Sequence, residues 1–317
     1  MARFLTDADV NRCVGLPDMA PAIEEMLTNY GRGNAINLTR RKVATPGGYL
    51  AVMGGALLYG DVLGVKTFTH TENGYSFQVS LYDAASGRLL LYTQANRLGQ
   101  LRTGATTAVA IKHLSNPDVP RLGVIGTGNQ AGDQLRAACA VREVGEICAY
   151  SRNADNRRAF ADRMAAELGR PVIAAASNRD AVAGCSIVIG IASAQTPVVM
   201  GEWLDSGATV IGAGPTSPRH QEVDAGVLTR ADRKFVDSLD QAPLECGDIA
   251  AAVDQGLVQW SQFLELRHVV AGAVPGRTDP DEVVYCKLMG TGVADVAAAR
   301  LVWERAEELG IGVEMDF

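Results

Sequence analysis

The residues with the clearest chemical meaning lie near the middle of the chain, in a glycine-rich turn. A short apolar run over residues 122–125 leads into Gly126-Thr-Gly-Asn-Gln-Ala131, and a helix-like segment follows. Strand, glycine turn and helix in this order form the G-x-G-x-x-A fingerprint of dinucleotide binding. Gly126 permits the tight turn, and Gly128 has no side chain to obstruct a pyrophosphate. The N–H groups at the start of the helix would then hold the phosphates.

The end of the second predicted strand bears on which dinucleotide binds. An acidic residue at this place usually binds the ribose 2′-hydroxyl of NAD. This strand ends in Ala149-Tyr-Ser-Arg-Asn153, with no carboxylate at its tip. Ser151 can donate to a phosphate, and the guanidinium of Arg152 suits one. The sequence therefore favours NADP(H); a solvated Arg152 with NAD(H) as the cofactor is the alternative.

Three basic residues in apolar or small-residue surroundings suggest a site for an anion. Lys66 lies in an apolar strand-like run, Arg102 lies beside glycine and alanine, and Arg41 follows Arg40 on an early strand. Two arginines and a lysine around one cleft would suit a carboxylate substrate, through bidentate pairing. Taken singly, each is more simply interpreted as a surface charge with a solvated head.

Asp224 is the fourth candidate, and its spacing leaves the role open. It follows the fifth predicted strand of the nucleotide-binding region, past the carboxyl end, where ligands gather in open α/β sheets. Aspartate is also a favoured N-cap, and a helix-like segment follows. The pattern alone does not choose between a site residue and a helix cap.

The first third of the chain predicts mostly antiparallel β-structure, opened by helices. Strands are predicted at 37–44, 48–54, 61–71, 76–82 and 89–93, with a hairpin turn at 83–88. A long helix is predicted over residues 98–114. The segment 115–120, which contains two prolines, then breaks the helix and indicates a domain junction.

From residue 121 onward, predicted strands alternate with helices. The strands lie at 122–125, 146–150, 172–175, 186–191, 209–213 and 234–236, and the helices between them include 155–168 and 242–253. Another strand-like run at 283–290 precedes a long helix at 293–309. Alternation of this kind predicts an α/β fold with a Rossmann-type doubly wound parallel sheet.

Length, charge and cysteine usage exclude several other classes of protein. The 317-residue chain is long enough for two domains. Its net charge of −7 argues against nucleic acid or an anionic membrane as the main partner. With neither a signal peptide nor an apolar run long enough to span a bilayer, we expect a cytoplasmic protein. The six scattered cysteines and four histidines have no metal-ligand spacing, so we expect a reducing compartment and no metal.

Taken together, these motifs resemble the ornithine cyclodeaminase/μ-crystallin family. No one motif is specific, but their order and spacing are. They are the arginine strand ending at Arg41, Gly64-Val-Lys66, Leu101-Arg-Thr-Gly-Ala-Thr-Thr-Ala108, the glycine turn, Ser217-Pro with Glu222-Val-Asp224, Val236-Asp-Ser238, Lys287-Leu-Met-Gly290 and Ala297-Ala-Ala-Arg-Leu-Val302.

The resemblance implies a homodimer whose subunits have two domains. Residues 1–118, completed by 293–317, would form an α+β substrate-binding and dimerisation domain, and residues 119–292 the Rossmann domain. Arg41, Lys66 and Arg102 would hold the α-carboxylate and the neighbouring imine of the substrate, and Asp224 would be the acid/base group. The implied cofactor contacts are Gly126, Thr127, Gly128, Asn129, Gln130, Ser151, Arg152, Ser193, Met289 and Gly290.

Two departures from the cyclodeaminases of this family favour a reductase. Those enzymes bind the distal amino group of ornithine with a glutamate, and the matching position here is Ala51. They also hold NAD with an acid where this chain has Ser151. We therefore predict NAD(P)H-dependent reduction of a 2-imino acid or a cyclic ketimine carboxylate to an amino acid, with Lys66 and Asp224 as catalytic residues.

Some alternatives stay open at this point. The chain could instead be a cyclodeaminase of ornithine or lysine, or a non-catalytic NADPH-binding protein of the crystallin type. Whether Lys66 or Asp224 donates the proton is not decided, because a basic cleft also lowers the pKa of a carboxyl group. Glu72, on a polar loop, could recognise an amino group, and His220 could lie near the cleft.

Overall fold

The computed structural model describes residues 1–316 and divides the chain into two compact units. Unit 1 contains Met1–Ala105 and the segment from Gly290 onward, and unit 2 contains Thr106–Met289. The first division falls inside a helix and not at the predicted junction, 118/119. In unit 2, Arg142 donates to the carbonyls of Ile111 and Lys112, so the last turn of that helix packs with unit 2 although no break in the sequence marks the change.

Unit 1 is an α+β unit built on a seven-stranded sheet. Its strands are β1 (Ala2–Leu5), β2 (Ala35–Thr45), β3 (Gly48–Leu57), β4 (Val62–Thr71), β5 (Gly74–Asp83), β6 (Leu89–Gln94) and β15 (Val313–Met315). Its helices are α1 (Asp7–Cys13), α2 (Leu16–Gly31), the first half of α3 (Asn96–Leu114) and α11 (Gly292–Leu309). The strand order is β15-β1-β6-β5-β4-β3-β2, antiparallel from β6 to β2, as the sequence predicted.

Helix α11 lies directly on this sheet because glycines leave room for it. A Cβ on Gly292 would lie 2.2 Å from the carbonyl oxygen of Gly54, and one on Gly55 would lie 2.8 Å from Val293 Cα. Gly64 on β4 is also close to the helix, since a Cβ there would lie 3.1 Å from a methyl of Val296. This close approach brings the first turn of α11 onto the middle of β3 and β4.

Unit 2 is a doubly wound α/β unit with eight parallel strands. The strands are β7 (Val119–Ile125), β8 (Val144–Tyr150), β9 (Val172–Ala174), β10 (Ile187–Gly190), β11 (Thr209–Gly212), β12 (Arg233–Val236), β13 (Phe263–Glu265) and β14 (Val284–Lys287). The helices are α4 (Ala131–Val141), α5 (Ala154–Leu168), α6 (Asn178–Val182), α7 (Ala225–Arg230), α8 (Ala242–Glu245), α9 (Gly247–Asp254) and α10 (Leu266–Val270).

The strand order in unit 2 is β13-β12-β14-β11-β10-β7-β8-β9. The order reverses between β7 and β10, and this reversal is where doubly wound sheets bind ligands. The predicted fold class is therefore confirmed. Two details differ from the prediction, because β13 is too short to carry a pattern and the helix expected over 242–253 is interrupted at Cys246. Among residues 1–316, no helix is long and apolar enough to cross a membrane.

Candidate active site

Lys66, Arg102 and Asp295 form a buried ionic group in unit 1. The Nζ atom of Lys66 lies 2.9 Å from Oδ1 of Asp295, and the Nε atom of Arg102 lies 2.9 Å from the same oxygen. The three side chains come from β4, α3 and the first turn of α11, and all three are buried. Two cations around one carboxylate leave this group with a positive charge that its own members do not balance.

Burial and charge act on the two titrating members in different directions. Burial lowers the pKa of Lys66 to about 8; the negative charge of Asp295 opposes that shift, and the charge of Arg102 adds to it. Burial alone would raise the pKa of Asp295, but the charges of Arg102 and Lys66 hold it below the ordinary value. Asp295 is therefore ionised, and Lys66 can exchange a proton at mildly alkaline pH.

A β-bulge in β2 determines which of the two consecutive arginines, Arg40 or Arg41, lies on the same face as this group. Leu38 pairs with Gly54 and Arg41 with Val52, so two residues, 39 and 40, oppose the single residue 53. Met53 pairs with Lys66 in turn, and directly paired residues share a face of the sheet.

Arg40, not Arg41, therefore lies on the Lys66 face. Arg40 is buried, and its Nη2 donates to the carbonyl of Gly290 at 3.5 Å. A Cβ on Gly290 would lie 2.6 Å from Nη1 of Arg102, so Arg40 and Arg102 meet the same turn. Arg41 is exposed on the opposite face, and the structure does not bring it to Lys66. The place predicted for Arg41 is occupied by Arg40.

The glycine turn of unit 2 opens a cavity of about 860 Å³ at the carboxyl ends of β7, β8 and β10. Gly126 has φ +115°, and a Cβ there would lie 2.6 Å from the carbonyl of Ile191. A Cβ on Gly128 would meet nothing within 4 Å, so the turn is open to a ligand on this side. The cradle fits the pyrophosphate of a dinucleotide. Its lining includes Gly126, Thr127, Gly128, Ser151, Arg152 and Ser193.

The tip of β8 has a defined arrangement beside this cavity. Thr127 Oγ1 donates to Ser151 Oγ at 2.7 Å, which joins the glycine turn to the strand end. Arg157 donates to the carbonyl of Ser151 at 2.5 Å and lies over the ring of Tyr150, at 4.9 Å from its centroid. The guanidinium of Arg157 is thus bound to the end of the strand, whereas Arg152 is exposed at the cavity wall.

The other predicted cofactor residues lie apart from this lining. Asn129 is exposed and Gln130 half-buried at the start of α4, next to the turn. The N–H of Met289 donates to Oδ2 of Asp237 at 2.9 Å within unit 2, and Gly290, with φ +80°, belongs to unit 1 beside Arg102.

Asp224 is the N-cap of α7, one of the two roles that its spacing allowed. Its Oδ1 accepts hydrogen bonds from the N–H of Val227 at 3.0 Å and of Gly201 at 2.8 Å. His220 is half-buried on the same loop, and Glu72 is exposed on the turn between β4 and β5. Among residues 1–316, no cluster of His, Cys, Asp or Glu side chains is arranged to hold a metal ion.

A second buried ionic group lies in unit 2 and was not predicted. The ammonium of Lys287 lies 3.2 Å from Oδ2 of Asp248, whose Oδ1 accepts from the N–H groups of Glu222 and Val223. The carboxylate of Glu222 accepts from the N–H of Ala192 at 2.8 Å and of Gly214 at 3.0 Å. Ala192 lines the cofactor cavity, so this group holds one wall of it in place.

Glu222 and Lys287 respond to burial in different ways. Burial raises the pKa of Glu222 to about 7, against the opposing charge of Lys287. Burial is the largest single influence on Lys287 and would lower its pKa, but neighbouring charges, including those of Asp248 and Glu222, together with the hydrogen bond to Asp248 outweigh burial and raise that pKa. Lys287 therefore stays charged at any physiological pH.

Sequence reasoning missed Arg40, Asp295, Glu222 and Asp248 as members of these groups. One signal was available for Asp295, because it is the single charged residue among the small and apolar residues of Gly292–Ala299. A lone carboxylate on the buried side of a helix needs a cationic partner. The other three have no comparable signal, since their burial follows from long-range pairing.

The chain belongs to the ornithine cyclodeaminase/mu-crystallin family, whose model matches residues 2–310. Iminosuccinate reductase of Paracoccus denitrificans is 30% identical over 304 residues, which are 93% of each chain. Δ1-Pyrroline-2-carboxylate reductase of Thermococcus litoralis, solved with NADH and L-proline, is 27% identical, with a TM-score of 0.94 over 99% of this chain and 100% of that one. An archaeal alanine dehydrogenase, solved as a dimer with NAD, is 26% identical, with a TM-score of 0.94 over 100% and 99%.

Proposed function

We propose that this protein is an NAD(P)H-dependent oxidoreductase that reduces the C=N bond of a 2-imino acid or a cyclic ketimine carboxylate, giving an amino acid. The observation that carries the proposal is the positively charged group of Lys66, Arg102 and Asp295, beside Arg40, in a chain that also has a dinucleotide cavity. Two relatives of known activity act on imino acids of this kind, which supports the same reaction type.

The residues of unit 1 supply the binding and the proton. A reduced nicotinamide, when bound, supplies the hydride that the imine carbon gains. Arg40 and Arg102 present guanidinium groups that suit the α-carboxylate of the substrate. Lys66 then hydrogen-bonds the imine nitrogen and donates the proton that this nitrogen gains. Asp295 holds the ammonium of Lys66 in position by the 2.9 Å contact.

Of the two predicted acid/base residues, the contacts favour Lys66. A group that donates a proton near neutral pH needs a pKa close to that pH, and burial has lowered the pKa of Lys66 to about 8. The Oδ1 atom of Asp224 already accepts hydrogen bonds from the backbone N–H of Val227, in α7, and of Gly201.

The test is NADPH or NADH consumption with a panel of substrates. The panel contains 2-oxo acids with ammonia or methylamine, which form open imines, and cyclic imine carboxylates. Turnover of any imine supports the reductase. Ammonia release from ornithine or lysine without net cofactor consumption would support a cyclodeaminase instead, and tight NADPH binding without any turnover would support a non-catalytic protein.

A preference for NADP(H) over NAD(H) is also part of the proposal. The tip of β8 carries Ser151 and an exposed Arg152 at the cavity wall, with no carboxylate. We expect Arg152→Ala to lower kcat/KM for NADPH about tenfold and to leave kcat/KM for NADH unchanged. Arg158→Ala is the matched control, because Arg158 is exposed on α5 outside the lining of the cavity. Equal kcat/KM for the two cofactors in the wild type would contradict the preference.

We further propose a homodimer formed through the sheet face of unit 1 that lies opposite Lys66. Strand register puts six exposed apolar residues on this one face, and large apolar patches of this kind mark protein interfaces. The related archaeal alanine dehydrogenase is a dimer. The six residues are Ile36, Leu38, Val43, Leu50, Leu63 and Tyr92.

The dimer is tested by light scattering after gel filtration. The wild type should have the mass of two chains, and the double variant Leu38→Glu/Leu63→Glu should have the mass of one. A wild-type protein that stays monomeric at micromolar concentration would overturn this part of the proposal. The cytoplasmic location predicted from the sequence stays a prediction.

A further inference from the structure

The sheet face that carries Lys66 continues along β3, β4 and β5 as a run of aromatic rings. Phe68 pairs with Phe77, two residues beyond Lys66 on β4, and His70 pairs with Tyr75, two residues further. Tyr49 on β3 pairs with His70. Directly paired residues share a face, so all five side chains lie on the side of Lys66.

The rings contact one another in sequence from the inner to the outer end. The centroids of Phe68 and Phe77 are 5.3 Å apart, and those of Phe77 and Tyr75 are 5.5 Å apart and nearly parallel. His70 lies 4.3 Å from Tyr75 and 5.4 Å from Tyr49. These separations are typical of stacked and tilted aromatic pairs.

The inner end of this run touches the cations of the candidate site. The Nζ atom of Lys66 lies 5.3 Å from the centroid of Phe77, and Cζ of Arg40 lies 5.8 Å from that of Phe68. Tyr75 and His70 lie about 13 Å from Lys66 along the strands, at 3.3 Å per residue. Phe68 and Phe77 are therefore the rings that a small molecule held by Lys66 would meet.

The first turn of α11 meets this face at Gly55, Gly64 and Lys66, where Asp295 contacts the ammonium. Further along the strands Phe68 is 8% exposed, Phe77, His70 and Tyr49 are half-buried, and Tyr75 is 57% exposed within residues 1–316. The exposure of the rings thus increases from Phe68, near Lys66, to Tyr75 at the outer end.

Apart from the ammonium of Lys66 and the guanidinium of Arg40, the inner end is apolar. Ala51, Met53 and Phe68 form a small buried cluster against which Tyr49 and Phe77 pack. A flat or aliphatic substituent would bury apolar area against Phe68 and Phe77. A second carboxylate at the same place would lose its hydration against two hydrocarbon rings, and the nearby cations are those that the α-carboxylate and the imine nitrogen use in the proposed reaction.

We propose that Phe68 and Phe77 form the subsite for the substituent at C2 of the imine. The preferred substrates then carry an apolar ring or chain, as in the cyclic ketimine carboxylates, and 2-imino dicarboxylates are poor substrates. This inference rests on the proposed reduction of an imine, because it takes Lys66 as the group beside the C=N bond.

The test compares three imines in the wild type and in Phe77 variants. The imines are Δ1-pyrroline-2-carboxylate, iminosuccinate, and the small 2-iminopropionate formed from pyruvate and ammonia. We expect the wild type to have a kcat/KM at least about tenfold higher for the pyrroline than for iminosuccinate. Phe77→Ser should lower kcat/KM about tenfold for the pyrroline and less than about threefold for 2-iminopropionate, and Phe77→Leu should fall between. Tyr75→Ser, farther along the same face, is the positional control and should lower the pyrroline value less than about threefold.

Each outcome decides a different claim. A wild type that prefers iminosuccinate, or a Phe77→Ser variant that loses all three activities equally while melting within two or three degrees of the wild type, overturns the subsite. If the wild type turns over none of the imines, the proposed function is overturned, and calorimetry then tests the subsite by itself. With NADP⁺ present, L-proline should bind the wild type more tightly than L-aspartate, and Phe77→Ser should remove the difference; tighter L-aspartate binding contradicts the subsite.

Discussion

The two buried lysines of this protein stand in opposite electrostatic settings. Lys66 shares one carboxylate, Asp295, with a second cation, Arg102, and burial lowers its pKa to about 8. Lys287 pairs with Asp248 near a further carboxylate, Glu222, and these charges raise its pKa. The first lysine is held where it can lose a proton, and the second is held permanently charged.

The difference is also visible in how the carboxylates are used. The oxygens of Glu222 and Asp248 accept backbone N–H groups from the loops at the carboxyl edge of the unit 2 sheet. These bonds join loops to one another. In the group of Lys66, Arg102 and Asp295, two cations face one carboxylate, and this excess of positive charge suits an anionic ligand. The two groups therefore differ in the sign of their charge, because the first has two cations and one carboxylate and the second has one cation and two carboxylates.

Removing the lysine of unit 1 should affect turnover most and stability least. For Lys66→Met we expect kcat/KM for imine reduction to fall by about 10²- to 10⁴-fold, because the proton donor is lost. The melting temperature should change little, since Arg102 remains paired with Asp295. Steady-state kinetics and thermal unfolding of the same preparation measure both. A Lys66→Met protein that is strongly destabilised but retains its turnover would show that Lys66 has a structural role and not a catalytic one.

Removing the lysine of unit 2 should have the opposite outcome. Lys287→Met leaves the buried carboxylate of Asp248 without its cation, which typically costs about 3–5 kcal/mol. Urea unfolding should report a loss of this size, while kcat per folded molecule stays within about threefold of the wild type. Lys234→Met, on the neighbouring strand β12, is a control, because Lys234 is only half-buried and its ammonium donates to the carbonyl of Ala231. A stable Lys287→Met protein with no turnover would make Lys287 part of the chemistry.

Substitutions of the neighbouring arginines Arg40 and Arg41 test whether the bulge in β2 places Arg40, and not Arg41, at the site. Arg40→Met should raise KM for the imino acid about 10- to 100-fold, the value of a charge-assisted hydrogen bond of about 1.5–3 kcal/mol. Arg41→Met should leave KM within about twofold, because its side chain is on the other face. Steady-state kinetics at saturating cofactor measure both variants. The reverse result would restore Arg41 to the site.

Asp224→Asn should have the smallest effect of these substitutions. Asparagine caps a helix as well as aspartate does, so the start of α7 keeps its hydrogen bond from Val227. We expect kcat within about threefold of the wild type and the melting temperature unchanged. If kcat instead falls a hundredfold in a folded protein, Asp224 is the acid/base residue and Lys66 is not.

Much of the architecture followed from local patterns in the sequence. The glycine turn after β7, the alternation of strands and helices in unit 2 and the β5–β6 hairpin all have short-range signatures, and each is present. Ser151 and Arg152 were placed correctly at the tip of β8 for the same reason, because a strand end can be identified from its neighbours.

The composition of the charged groups could not be predicted in the same way. Alternation along β2 cannot distinguish Arg40 from Arg41, since the bulge at residues 39 and 40 depends on pairing with β3. Asp295 meets Lys66 only because glycines let α11 lie on β3 and β4. Asp224 was ambiguous from spacing; the contacts of its carboxylate show that it caps α7, and its predicted acid/base role stays a prediction.

The most direct test of the central claim is the pH dependence of kcat/KM for imine reduction, which reports the pKa values of the free enzyme. The ammonium of Lys66 is the proton donor in this account, so the active form exists below its pKa of about 8 and disappears as the pH rises through that value. With the titration of the free imine measured separately and corrected for, kcat/KM should fall tenfold per unit above about pH 8. In Lys66→Arg, which stays protonated, the residual kcat/KM should not fall in this range. A corrected wild-type kcat/KM that is level from about pH 7 to 9.5, or an identical fall in Lys66→Arg, would contradict the claim that Lys66 donates the proton.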